Sequence, residues 1–134
     1  MNAEDLLCEG IWTKFAADSG QGGIYDYIAG ELHEEETPQG VAKPYVIYWV
    51  VTHEGTWMFD EDFEEFILQF NCYAASRDAA LIMKDKLTNL YKYTSKPTVA
   101  GYAVVEFNRT MSNPLKTEDF HMIAIQYEVL LQKN

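Results

Sequence analysis

The last stretch of the chain alternates with a period of two: Ile123, Ile125, Tyr127, Val129 and Leu131 fall on one side, Ala124, Gln126 and Glu128 on the other. That period belongs to a strand with one buried and one wetted face. Phe63 to Ala74 repeats it, with Phe66, Leu68, Phe70 and Cys72 opposite Glu65, Ile67, Gln69 and Asn71. Tyr102 to Arg109 sets Ala103, Val105 and Phe107 against Tyr102, Val104 and Glu106, with Pro97 and Gly101 marking its start. The run Tyr45 to Thr52 is almost wholly aromatic and β-branched, which predicts a central strand covered on both faces. Ile24 to Ala29 reads as a further short strand.

Two helical repeats interrupt these strands. Asn2 is placed to cap a helix over Ala3 to Ala17, with Glu4 and Asp5 at the positive end of its dipole and Leu7, Ile11 and Phe15 on one face. The cluster from Ser19 to Gly23 ends it. Ser76 is placed to cap a second helix from Arg77 to about Tyr93, with Asp78 in the first turn and Lys92 in the last. Its apolar stripe is Ala80, Met83, Leu87, Leu90 and Tyr91. The acid-rich stretch Gly30 to Lys43, the turn His53 to Asp62 and the polar link Thr110 to Asp119 read as connections. Helices that do not alternate strictly with strands imply an α+β fold, two helices packed on one face of a largely antiparallel sheet.

With 134 residues the expectation is one domain spanning 1–134. Hydrophobic residues make up 48%, enough to offset chain entropy despite a formal charge of −11. Ten basic residues against 21 acidic ones supply no stripe to replace counterions on a phosphate backbone, so nucleic-acid grip is disfavoured. The start MNAEDLLCEG has neither a basic nor an unbroken apolar region, and no stretch approaches ~18 apolar residues. A cytoplasmic chain with no membrane partner is expected. Cys8 and Cys72 lie in apolar contexts and read as buried, reduced thiols.

The search for chemistry ends without a catalytic residue. His33, His53 and His121 lack the spacing that sets two imidazoles on one helical face, and no loop spaces the acids around a hard cation. No metal, no cofactor and no catalytic set is expected, because nucleophile, base and oxyanion donor cannot be named together. The feature that resists this reading is Trp57, Met58 and Phe59, a trio of large apolar residues set before Asp60, Glu61 and Asp62 in the turn. They either cap the core or form an interface patch. Glu34, Glu35 and Glu36, with Asp60, Glu61 and Asp62, read as solvated acidic surface.

Taken in order, these segments resemble the phage tail terminators, also called tail completion proteins, of long-tailed phages and prophages. The resemblance rests on the N-terminal amphipathic helix, Ile24-Tyr25 after a glycine-rich break and Pro44-Tyr45-Val46-Ile47-Tyr48 after an acidic loop. It continues through Leu68-Gln69-Phe70-Asn71-Cys72-Tyr73-Ala74, the helix opening Ser76-Arg77-Asp78-Ala79-Ala80 and a paired-strand C-terminus. The acidic loop 30–43 and the aromatic turn 57–59 match no feature of that family. The resemblance implies a non-enzymatic virion protein of the tail or neck, assembled in the host cytoplasm. Its partners would be other copies of itself, as a homo-oligomer and usually a hexamer, together with the tail tube protein and a head-completion or connector protein. DNA would pass through the ring without specific binding, and a wall of negative charge suits a conduit that must not hold phosphates. Another head–tail joining or neck protein, and an acidic DNA mimic that inhibits a host nuclease, are the alternatives.

Overall fold

The computed structural model describes residues 2–36, 40, 42–55, 63–116 and 120–134. Helix α1 spans Ala3–Ala17, and Asn2 caps it by accepting the Asp5 N–H on its side-chain oxygen at 2.8 Å. Leu7, Ile11 and Phe15 are fully buried, as their spacing requires. Each such side chain stabilises the fold by roughly 1.5–3 kcal/mol.

The chain then departs from its expected form. Ile24–Tyr27 is a one-turn helix, α2, where the sequence predicts a strand. Its cause is local: the Asp26 carboxylate accepts the N–H groups of Gly20 and Gly22 at 2.9 and 2.7 Å, and Asp18 accepts the Tyr25 N–H at 3.0 Å. Two carboxylates thus curl the glycine-rich segment into a turn that leads into α2. The missing strand lies further on, inside the acidic stretch predicted to be a loop: β1 is Leu32–Glu34, which pairs in parallel with Val46–Tyr48.

Strands β2 (Tyr45–Gly55) and β3 (Phe63–Ala74) are antiparallel. Helix α3 (Arg77–Leu90) follows, capped by Ser76, whose hydroxyl accepts the Ala79 N–H at 3.1 Å. It ends short of the predicted Tyr93, so Lys92 lies beyond its last turn, and a 3-10 turn covers Tyr93–Ser95. The final hairpin pairs β4 (Tyr102–Lys116) with β5 (His121–Lys133). Strand β4 therefore runs seven residues past the predicted Arg109, through a segment whose polarity reads as a link.

The sheet order is β1-β2-β3-β5-β4, largely antiparallel, in an α+β architecture. Strand β2 is next to an edge rather than central, and only Val46 and Tyr48 on one of its faces are deeply buried. Helix α3 lies over β3 and β5, and α1 over β2. The core between them holds Phe66, Leu68, Phe70 and Cys72 of β3 with Ile123, Ile125, Tyr127, Val129 and Leu131 of β5, as the alternation predicts.

Three buried tyrosines tie the layers together with directed bonds. The Tyr91 hydroxyl donates to the Ile11 carbonyl at 2.8 Å, and the Tyr127 hydroxyl to the Tyr91 carbonyl at 2.7 Å. The Tyr48 hydroxyl reaches the Cys8 carbonyl at 3.4 Å.

Candidate interaction surface

The face of the sheet away from the helices carries no covering element among the described residues, and its side chains follow from the register. One rung sets Tyr45, Tyr73, Met122 and Leu115 side by side, the next Ile47, Asn71, Ala124 and Asn113, and a third Trp49, Gln69, Gln126 and Met111. Apolar groups therefore flank a polar centre. That centre is a ladder of amides: Gln126 donates to Gln69 at 2.7 Å, Gln69 to Asn71 at 2.9 Å and Asn71 to the Tyr73 hydroxyl at 3.4 Å. Asn71 is buried and these bonds satisfy its amide, while the Gln126–Gln69 bond joins β5 to β3. At the apolar end Tyr45 stacks on Tyr73 at 4.9 Å, and the Lys43 ammonium sits 5.2 Å from the Phe120 ring centre.

Two clefts open at the lateral edges of the sheet. Between α1 and β1 lies one lined by Asp5, Glu9 and Glu34, with Cys8 at its base and exposed Trp12 on its rim. Burial, and after it the Glu34 carboxylate, pushes the Cys8 thiol well above the usual range, so no thiolate forms there at neutral pH. Burial alone pushes Cys72 up to about 12. Both are free and buried, as their apolar contexts predict. At the opposite edge, between the start of α3 and the end of the β4–β5 hairpin, lies a cleft of about 220 Å3. Ala80, Leu81, Pro114 and Ile123 wall it, and Arg77, Lys116 and His121 are its basic lining groups.

The predicted site residues divide sharply. Glu34, Glu35 and Glu36 are exposed at the β1 edge, where the Glu35 N–H donates to the Tyr48 carbonyl at 2.9 Å. Trp57, Met58, Phe59, Asp60, Glu61 and Asp62 lie outside the described residues. The histidines stay apart: His33 bonds Glu31 at 2.6 Å, His53 bonds Glu64 and stacks on Phe66, and His121 opens β5. Among the described residues no group of three or more His, Cys, Asp or Glu side chains is placed to hold a metal ion.

The amide ladder and the two edge clefts escaped the sequence reading. Gln69, Asn71 and Gln126 are visible as the polar members of alternating strands, but only the register makes them neighbours. Trp12 was the available signal for the acidic cleft, an aromatic off the Leu7–Ile11–Phe15 face of α1.

No family model matches the chain, and no curated protein matches it in sequence. Solved structures do match in fold. A chain of the virion of a native gene transfer agent particle superposes with a TM-score of 0.60 at 11% identity, over 87% of this chain and 96% of that one. A second solved chain gives a TM-score of 0.58 at 15% identity, over 91% of this chain and 96% of its own length. At such identities the likeness is one of fold. No helix among the described residues is long and apolar enough to cross a membrane.

Proposed function

We propose that the chain is a structural protein of a phage or phage-like virion, a tail terminator that forms a ring on the head-proximal end of the tail tube. There it stops tube growth and offers the surface on which the head docks. The observation that carries this reading is the fold shared, nearly end to end, with a chain of a gene transfer agent virion. The open sheet face supports it, since a two-layer domain with one uncovered face has surface to spare for neighbours. So does the charge of −11, which keeps phosphates from adhering to a channel wall. A hexamer is the proposed assembly, and Trp57, Met58 and Phe59 are its proposed contact with the tube or a neighbouring copy. Glu34, Glu35, Glu36, Asp60, Glu61 and Asp62 are proposed to face solvent or the channel.

Electron microscopy of the purified protein, alone and mixed with tail tubes, tests the reading. Rings of uniform diameter seated on tube ends are the expected result. Replacing Trp57, Met58 and Phe59 together by Ser should abolish capping while circular dichroism stays native. A protein that forms no ring and leaves tube ends bare, but binds a basic nuclease as a monomer, would overturn the terminator in favour of the DNA mimic. Binding to a connector without the tube would move it to the neck.

A further inference from the structure

The strand register sets both lateral edges of the sheet at one level. Leu32 of β1 pairs with Val46, Val46 with Cys72, Cys72 with Ile123 and Ile123 with Pro114 of β4. A single rung therefore runs from edge to edge, and each of its ends opens into a cleft of opposite charge. At the β1 end, exposed Asp5, Glu9 and Glu34 line a cleft together with His33 and with Trp12, a residue 43% exposed. At the β4 end the charged lining groups are Arg77 and Lys116, both exposed, and no carboxylate lines the cleft among the described residues.

We infer that these clefts are the two halves of one contact between copies of this chain, with Trp12 of one copy seated in the Arg77–Lys116 cleft of the next. The inference rests on the ring reading above, assigns the faces that meet, and moves Glu34 from the solvent- or channel-facing set to the contact between copies. Three observations favour a second copy as the occupant. The charges are complementary, which steers association and fixes orientation. The basic cleft, at about 220 Å3 and with apolar walls, is larger than the ~150 Å3 apolar cavity that accommodates benzene, so it has room for an aromatic ring. The strand directions also agree: β1 runs parallel to β2 and each later neighbour reverses, so β4 of one copy would meet β1 of the next antiparallel, extending the sheet.

The two patches differ, so the contact is heterologous. Repeated, it closes a ring where the rotation allows and grows a filament where it does not. It also offsets, at the point of touch, the repulsion between copies of charge −11.

Two charge-reversed variants test the contact on exposed side chains: Arg77→Glu with Lys116→Glu, and Glu9→Lys with Glu34→Lys. Sedimentation velocity would be run on the native chain, each variant and their equimolar mixture, with circular dichroism as the check on folding. The native chain should assemble and each variant alone should remain monomeric. The mixture should assemble, because reversed cleft then meets reversed cleft in alternation. The neutral pair Arg77→Gln with Lys116→Gln, chosen for its tolerance, should weaken assembly about tenfold even if a reversal disturbs folding. Variants that assemble as the native chain does, or a folded mixture that stays monomeric while the native chain assembles, overturn the contact and leave the ring reading standing. A native chain that is monomeric at every concentration and salt overturns the ring reading, and the contact with it.

Discussion

Gly10 shows how a single position can be closed to the residue that local propensity favours. It lies inside α1, where Ala should be better by about 1 kcal/mol, yet a Cβ there would stand 2.3 Å from the Thr98 carbonyl oxygen. Overpacking of this kind costs roughly 1–3 kcal/mol, so Gly10→Ala should lower stability in urea melts, although a helix scale alone gives the opposite sign. Asp26 acts through its charge. The N–H groups of Gly20 and then Gly22 hold its carboxyl below the usual aspartate range. A depressed folded pKa means that this stabilisation is present above the ordinary value of ~3.9 and is lost as pH falls through the folded value. Asp26→Asn should therefore be less stable than native at neutral pH, the gap closing in strong acid. The caps Asn2 and Ser76 were legible because a cap depends on residues within three positions. Gly10 was not, because its constraint comes from Thr98, 88 positions away.

At the level of elements, strand β4 shows where alternation misleads. The register shifts between Val104 and Glu106 and again between Arg109 and Met111. One extra residue changes the face of all that follow. Tyr102 and Val104 therefore pack against the core together with Phe107, whereas Ala103, predicted to share the face of Phe107, is exposed. Phe107→Ala should cost about 3–5 kcal/mol and Ala103→Ser less than about 0.5 kcal/mol in the same denaturant series. Equal effects would contradict the bulge. The strands β3 and β5 are legible in the sequence because each has an uninterrupted period of two. Strand β1 was invisible: it has three residues, only Leu32 is buried, and its strand form comes from hydrogen bonds to β2 rather than from its own side chains. Strand α-versus-β ambiguity at Ile24–Tyr27 has the same origin, since four residues of mixed apolar character carry no period.

For the whole molecule, the sequence yielded the class of fold and the faces of most elements, but not the order β1-β2-β3-β5-β4, which depends on pairings between distant segments. The candidate surfaces depend on that order, so they were legible only as composition: an acidic chain with unassigned aromatics. Charge still sets an expectation at this scale. Copies of charge −11 repel over a Debye length of ~30 Å at 0.01 M salt and ~8 Å at 0.15 M, whereas the close opposite charges at the clefts are screened less, so ring formation should strengthen over that range in sedimentation experiments. The tyrosine hydroxyls that tie α1 and α3 to the sheet have a consequence in alkali. Burial holds the phenols of Tyr48, Tyr91 and Tyr127 well above their ordinary range. The stability they contribute is fully present below ~10, the ordinary tyrosine value, and is lost as pH rises through the folded values. Tyr48, Tyr91 and Tyr127, three of the nine tyrosines, should therefore stay dark as an ultraviolet phenolate titration passes ~10 and appear together when the chain opens. The protein carries its own optical gauge of the join between helices and sheet, read without any label.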